Sequence, residues 1–393
     1  MSSEITRLAV ADGPHPAVNE LLAGATLVDH HTHSIARGTL TQPAFRLMIS
    51  ESDRQAAADA AGPDTQVMFA ARRWCAPLLG LPAHVPAETY LKHRLGLANE
   101  EVAARLLPPA GFERLLIDTG YRAEELLDLG QLGRLAGASI DTIVRLEGLA
   151  EQVARSGVEA AGFANAFRTA LEHEAATAVG LKSIIAYRVG LDFDPALPSA
   201  GEVVDHAGAW LRAIESGAGA RLVDPVLLRF ALWEGASTGK PLQIHTGYGD
   251  PDLDLHRCDP LLLSDFLRAT ERTCPVLLLH TYPFQRQAGY LAQMYPHVFI
   301  DVGLAINYTG AQSSQLIAES LELAPFTKVL FSSDAWGIPE LHLLGSWLFR
   351  RGMARVVGAW VARDDWSLAD AERVIRLVCA ENARRVYGLP APA

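Results

Sequence analysis

The amino-acid sequence predicts an α/β fold, a closed (β/α)8 barrel of the TIM type with a mainly helical insertion between its first two strands. Three observations predict it: eight short apolar runs occur along the 393 residues, helical segments separate them, and most of the runs are continuously apolar. Continuous apolar runs are typical of strands buried on both faces of a parallel sheet. Eight strand–helix units close such a sheet into a barrel.

The predicted strands are apolar runs bounded by turn residues. They cover residues 25–29, 114–118, 142–146, 178–182, 241–245, 276–280, 298–302 and 328–332. Helical segments alternate with them at residues 148–177, 203–217, 260–273 and 285–295, and further helices follow the eighth strand. This alternation indicates β/α units.

Residues 34–111 separate the first and second predicted strands, a distance that exceeds an ordinary crossover. The segment is helical in character and is interrupted by prolines. We interpret it as a helical cap over the barrel mouth, within a single domain that spans residues 1–393.

The composition excludes several classes of protein. Hydrophobic residues make up 49% and charged residues 20%, which excludes a disordered chain. The net charge of −11 argues against nucleic acid and anionic membranes as partners, and no apolar run reaches the roughly 18 residues that span a bilayer. Four cysteines without a C-x-x-C pair, and no signal peptide, predict a cytoplasmic protein. A small-molecule substrate is expected, and a homo-oligomer is left open.

Ionisable residues stand at the ends of five predicted strands. They are Asp29-His30-His31-Thr32-His33, Lys182, His245, His280 and Ser332-Ser333-Asp334. The carboxyl ends of the strands meet at the face where such barrels carry their chemistry. His31 and His33 are two residues apart, so in an extended chain their side chains point the same way, whereas His30 points to the opposite face.

These residue types favour a divalent metal site. Neutral imidazoles and carboxylate oxygens bind zinc first of all, with manganese, iron and nickel as alternatives. We predict one or two ions, which would activate a water molecule to hydroxide, with Asp334 as the general base and acid. Each residue alone has an ordinary explanation: Asp334 could cap a helix, for example, and Lys182 could be solvated. The joint pattern favours the metal.

Four stretches extend the pattern at the strand ends. They are GLKSIIAYRVGL (180–191), LQIHTGYGDPDLDL (242–255), LLHTYPFQRQAGYLAQMYPHVFIDVG (278–303) and LFSSDAWGIPELHLLG (330–345). Together they resemble the amidohydrolase superfamily of metal-dependent hydrolases, in particular an amidohydrolase-2-type branch that occurs fused to glutamine-synthetase-like domains.

The resemblance implies a set of metal ligands: His31, His33, Lys182, His245, His280 and Asp334. In this set a carboxylated Lys182 would bridge two ions. If the fourth strand instead continued through residues 183–187, Lys182 would lie deep in the barrel and one ion would remain.

Five further residues are candidates for substrate binding. They are Arg188, Glu147, Tyr248, Asp250 and Trp336. Arg188 could clamp a carboxylate, or it could form a structural pair with Glu147. Tyr248 and Asp250 follow His245 in a loop whose acidic run could receive a cation or remain solvated. Trp336 is a candidate pocket wall.

The leading hypothesis is a metal-dependent hydrolase of a C–N bond of the amide type. Asp334 and His280 would be its catalytic residues, and the resemblance suggests γ-glutamyl amides or related amine conjugates as substrates. One alternative is a decarboxylase of an aromatic or unsaturated acid that uses one metal ion. Another is a catalytically silent metal-binding barrel.

Overall fold

The sheet at the centre of the fold consists of parallel strands that follow one another in chain order. The computed structural model describes residues 2–391, and within them seven strands pair in the order β1 to β7. The strands are β1 (Leu27–Thr32), β2 (Phe112–Asp118), β3 (Ser139–Arg145), β4 (Gly180–Ser183), β5 (Leu242–His245), β6 (Val276–Leu279) and β7 (Val298–Ile300). The predicted parallel α/β architecture is confirmed.

The eighth predicted strand, residues 328–332, is wrong as a strand but lies where a barrel requires it. Its Leu330 N–H donates to the carbonyl of Ile300 in β7, and its Phe331 carbonyl accepts from His30 in β1. Beyond Phe331, the Ser332 hydroxyl donates to the Asp301 carboxylate and the Ser333 N–H donates to that of Asp29, while the Ser333 carbonyl accepts from the backbone of Leu304, which lies outside the strands. This irregular stretch, residues 328–333, therefore closes the sheet without forming a regular ladder, and we call it the closing segment.

Twenty α-helices surround the sheet in the described chain. Two precede it: α1 (Ser2–Val10) and α2 (Pro16–Gly24). Five lie between β1 and β2: α3 (Gln42–Met48), α4 (Gln55–Ala61), α5 (Gln66–Leu78), α6 (Ala87–Arg94) and α7 (Asn99–Ala110). The others are α8 (Leu129–Ala136), α9 (Leu146–Arg155), α10 (Ala160–Ala175), α11 (Ala186–Val189), α12 (Ala200–Glu215), α13 (Pro225–Ser237), α14 (Ser264–Thr270), α15 (Gln285–Met294), α16 (Ala305–Thr309), α17 (Ser313–Ser320), α18 (Pro339–Ala362), α19 (Leu368–Arg376) and α20 (Asn382–Tyr387).

Shorter helical turns complete the elements. They are the 3-10 turns Ala123–Glu125, Leu255–Arg257, Pro260–Leu263, Gly310–Gln312 and Phe326–Lys328, and a π-helical turn at Leu377–Glu381. The single helix predicted at residues 148–177 is two helices, α9 and α10, because the chain turns at Gly157, whose φ is 80°. Within residues 2–391, no helix combines the length and apolar character that a bilayer crossing needs.

Local signals in the sequence set several helix boundaries. Helix α12 begins with a capping box, in which Ser199 accepts from the backbone of Glu202 and the Glu202 carboxylate accepts from the backbone of Ser199. Helix α13 begins after Asp224, whose side chain caps it, with Pro225 in its first turn. These caps satisfy backbone N–H groups that a helix start leaves without partners.

A second, smaller hydrophobic cluster fills the barrel interior below the strand ends. It contains alternate residues of the strands, such as Val28, Leu277 and Leu279, together with Tyr387 at the end of α20. Alternate strand residues form the inward-facing layers of a barrel. The last helix therefore contributes directly to the interior.

A buried ion pair ties the insertion to the barrel. Arg94 of α6 bonds to the carboxylate of Glu340 in α18, and both side chains are fully buried. Tyr90 donates to the same carboxylate, and Asn99 accepts from Arg94 while it donates to the carbonyls of Ala36 and Gly337. These contacts hold the insertion against Ala36, which follows β1, and against Gly337, which follows the closing segment.

We expect that Glu340→Ala lowers the free energy of unfolding by about 3–5 kcal/mol, because it leaves the Arg94 guanidinium buried without its partner. Urea unfolding followed by circular dichroism would measure this. The matched control is Glu101→Ala, which removes an exposed carboxylate 3.7 Å from Arg105 and should cost at most about 1 kcal/mol. Equal effects of the two substitutions would contradict this account.

Candidate metal centre

The carboxylate of Asp334 is the point on which three histidines converge. Its Oδ1 lies 3.1 Å from Nε2 of His31 and 3.6 Å from Nε2 of His33, and its Oδ2 lies 3.5 Å from Nε2 of His280. His31 is on β1, while the other three residues directly follow β1, β6 and the closing segment. The strand ends therefore bring together four residues from three distant parts of the sequence.

The tautomers of two of these histidines follow from their other ring nitrogens. His31 Nδ1 lies 2.8 Å from Oε1 of Gln243, and His33 Nδ1 lies 3.0 Å from the carbonyl of Asp118. Both oxygens can only accept, so each histidine carries its proton on Nδ1. In the neutral form, both Nε2 atoms thus direct a lone pair at the Asp334 carboxylate.

Burial keeps the imidazoles of His31 and His280 neutral. It lowers the pKa of His31 to about 3 and that of His280 to about 4, and the neighbouring Lys182 acts in the same direction. Burial opposes ionisation of Asp334, but the nearby His280, His31 and His33 hold the pKa of its carboxyl well below the usual value. Lone pairs and an anionic oxygen that face each other at 3.1–3.6 Å fit a bound cation.

Lys182 and His245 extend the same set of groups. Both line a cavity of about 340 Å³ together with His31, His33, His280 and Asp334. Lys182 is only 1% exposed, and burial lowers the pKa of its amine to about 8. Within the described chain, its Nζ and the Nε2 of His245 have no hydrogen-bond partner. Buried polar atoms without partners are costly, so their presence here also fits a bound ion.

The backbone at two of these positions is unusual. His280 has a φ of 70° and Asp334 a φ of 47°, values that residues other than glycine rarely adopt. Asp301 holds the first of these turns, because its Oδ1 accepts from the backbone N–H groups of His280 and Gly303. Strained conformations of this kind concentrate at functional sites.

A family comparison identifies the chain. A family model described as amidohydrolase matches residues 119–389. The chain belongs to the amidohydrolase family. The resemblance read from the strand-end residues and the four stretches is thereby confirmed.

Individual relatives agree with this assignment. The amidohydrolase chain is 31% identical over 221 residues to the protein fluG of Emericella nidulans; the matched region covers 54% of this chain and 26% of the relative, which is thus much longer. A structure from Lactobacillus casei described as a metal-dependent hydrolase is 28% identical, with a TM-score of 0.82 over 96% of this chain and 98% of the other. A uronate isomerase from Bacillus halodurans, at 14% identity and a TM-score of 0.62 over 99% and 96%, shares the fold.

The amidohydrolase cavity includes three of the five residues predicted to bind substrate: Arg188, Asp250 and Trp336. The other two, Glu147 and Tyr248, are not among the described residues that line this cavity. Glu147 starts helix α9, where its Oε1 accepts from Ser183 and the backbone of Ile184. Tyr248 packs edge-on against Tyr282 and Tyr308. The structural pair considered for Arg188 forms weakly and with Glu151, at 3.7 Å, rather than with Glu147.

Several residues of the amidohydrolase site were missed by sequence reasoning. Gln243 lies on β5, two residues before His245, and its polarity within an apolar strand was a usable signal. Glu51 and Asp53 of the insertion and Arg221 after α12 line the cavity, but nothing local distinguishes them from solvated charges. Their position depends on how the insertion and loops pack.

We expect Gln243→Met to weaken zinc binding by about 10–100-fold, because it removes the acceptor that orients His31. Competition with a chelator of known zinc affinity would measure the change. Tyr387→Phe, which removes the hydroxyl that accepts from Gln243 Nε2 at 2.7 Å, should have a smaller effect. Gln315→Met on the exposed face of α17 is the control. Zinc affinity that stays the same in Gln243→Met would contradict the role assigned to this contact.

Proposed function

We propose that this amidohydrolase is a metal-dependent hydrolase that cleaves a C–N bond of the amide type in a small molecule. The observation that carries the proposal is the convergence of the Nε2 atoms of His31, His33 and His280 on the carboxylate of Asp334. The match to the amidohydrolase family and the likeness to the Lactobacillus casei structure support it.

The residues that would hold the metal are those predicted: His31, His33, Lys182, His245, His280 and Asp334. Zinc suits this mixture of imidazole and carboxylate, and manganese, iron or nickel would also be accepted. When bound, the metal would supply an acidified water molecule and an electrophile for a carbonyl oxygen. The buried amine of Lys182, once carboxylated, would provide the anionic oxygens that a pair of ions requires.

Asp334 is suited to proton transfer. The pKa of its carboxyl lies well below the usual value, so it is ionised at neutral pH and would accept a proton from the attacking water. It would return that proton to the departing nitrogen, which then leaves as a neutral amine. His280, whose Nε2 lies 3.5 Å from Asp334 Oδ2, would help to stabilise the negative charge that develops on the carbonyl oxygen.

The cavity restricts the size of the substrate. Its volume of about 340 Å³ is near the lower end of the roughly 300–1,000 Å³ typical of ligand pockets. A γ-glutamyl amide or a related amine conjugate is of suitable size. The resemblance to the branch fused to glutamine-synthetase-like domains supports this substrate class.

We expect the purified protein to release methylamine from γ-glutamyl methylamide, and Asp334→Asn to lower kcat/KM by about 10²–10⁴-fold, because proton transfer is lost. Methylamine would be quantified by chromatography after derivatisation. Asp265→Asn, an exposed carboxylate on α14, is the matched control and should retain wild-type activity. Release of carbon dioxide from aromatic acids, without amide hydrolysis, would favour the decarboxylase alternative. If no turnover of either kind occurs after loading with metal, the silent barrel is favoured.

We expect two divalent ions per chain in protein purified without chelator, and at most one in Lys182→Ala, because the bridging group is lost. Elemental mass spectrometry would count the ions. Lys92→Ala, an exposed lysine on α6, is the control and should retain both. One ion in both the wild type and Lys182→Ala would remove Lys182 from the ligand set.

A further inference from the structure

Charges of both signs line the cavity beyond the metal centre. The basic residues are Arg122, Arg145, Arg188 and Arg221, and the acidic residues are Glu51, Asp53, Asp250 and Asp252. A cavity whose charges were all paired with each other would carry no information about its ligand. The pairing of each residue therefore decides what the cavity can recognise.

Three of the four arginines already have a carboxylate partner. Arg122 pairs with Glu125 at 2.6 Å, Arg145 with Asp118 at 2.6 Å, and Arg221 with Asp252 at 2.7 Å. Arg188 differs, because its nearest carboxylate, Glu151, lies 3.7 Å away and its Nε has no partner within the described chain. Its side chain is only 10% exposed. A buried guanidinium with free donors facing a cavity fits an anionic ligand group, best a carboxylate.

Three of the acidic residues have the opposite deficit within residues 2–391, but Asp53 is exposed to solvent, whereas Glu51 and Asp250 are partly buried. Among residues 2–391, no arginine, lysine or histidine nitrogen lies at ion-pair distance from Glu51 or Asp250. Burial and the neighbouring charges of Asp334 and Asp250 raise the pKa of Glu51, and burial raises that of Asp250. A cation placed between these carboxylates would relieve both effects.

An ammonium group matches these two carboxylates better than another metal ion does. Within the described chain, the ligand groups close enough to chelate an ion are found around His31, with Asp334 and His280 or with His33 and Asp118. Glu51 and Asp250 belong to neither. Two carboxylates that line the same cavity still offer oxygens that can accept hydrogen bonds from an ammonium group.

We propose that the substrate carries a carboxylate that binds Arg188 and an ammonium group that binds Glu51 and Asp250, as the head group of an α-amino acid does. The inference rests on the proposed function, because it places the amide carbonyl of the same molecule at the metal centre. To the proposed function, the inference adds the recognition of the charged groups at the end of the substrate remote from the amide. Arg188 extends from α11, Glu51 from the insertion and Asp250 from the loop after β5, so three separate elements read the head group.

Binding of the hydrolysis products tests this inference without turnover. Calorimetry would compare L-glutamate with glutarate, which lacks the ammonium group, with 4-aminobutyrate, which lacks the α-carboxylate, and with butyrate, which lacks both. We expect L-glutamate to bind at least about tenfold more tightly than glutarate and than 4-aminobutyrate, because a site built for a charged group is left unsatisfied without it.

Two variants assign the two charges. Glu51→Gln should bring the ratio of L-glutamate to glutarate affinity towards one, and Arg188→Met should do the same for the ratio of L-glutamate to 4-aminobutyrate affinity. Each ratio is measured on one protein preparation, so partial unfolding cancels. Glu88→Gln, an exposed glutamate on α6, is the control and should keep both ratios.

The outcomes separate this inference from the proposed function. Equal binding of the four acids, no measurable binding of any of them, or ratios that the two variants leave unchanged would overturn the charge recognition. A discrimination that depends only on the α-carboxylate would overturn the ammonium site. Failure to release methylamine from γ-glutamyl methylamide, with the affinity ratios intact, would instead count against the proposed hydrolysis alone.

Discussion

Between β7 and β1 the barrel is closed by an irregular segment, and the geometry of the site follows from this closure. Residues 329–335 bond to β7 through Leu330 and to β1 through Phe331 and Asp334, whose N–H donates to the carbonyl of His31. This last bond places the Asp334 side chain beside that of His31. A regular eighth strand would continue its ladder, whereas here Ser332 and Ser333 direct their hydrogen bonds to carboxylates below the site.

Those carboxylates belong to a polar layer that supports the candidate ligands from within the barrel. Asp29 holds Ser333, Asp301 holds the backbone of His280, and Gln243 joins His31 to Tyr387. Asp301 fixes the backbone of the candidate metal ligand His280, Gln243 fixes the tautomer of His31, and Asp29 fixes Ser333, the neighbour of Asp334. Buried polar networks are costly unless their members have partners, and the partners here come from β1, β5, the end of β7 and α20. Site and barrel interior are therefore built from the same hydrogen bonds.

Much of this architecture could be predicted from the sequence, because the strands are short and buried and therefore appear as short apolar runs. An apolar run that stops at His245 or His280 indicates both a strand and the end of the barrel at which its last side chain lies. Such logic does not extend to residues whose position depends on contacts between distant segments. Glu51 reaches the cavity because the pair of Arg94 and Glu340 holds the insertion against the barrel, and nothing in the sequence indicates that these two residues pair.

Misplaced predictions have equally local causes. Glu147 was expected at the mouth because it follows an apolar run, but β3 ends at Arg145 and α9 begins at once, which turns the side chain towards the backbone of Ile184. The run at 328–332 has the composition of a strand, yet the two serines that follow Phe331 donate to the side chains of Asp301 and Asp29. Hydrogen bonds to buried carboxylates thus outweighed β propensity.

The left-handed backbone of His280 and Asp334 has a consequence for how this chain tolerates change. Each such conformation costs roughly 1–3 kcal/mol, which the remainder of the barrel must offset. The backbone at the candidate metal centre therefore lowers the thermal stability of the carboxyl end of the barrel. Attempts to make the protein more heat-resistant are best directed to the opposite end of the barrel and its outer helices, away from this centre.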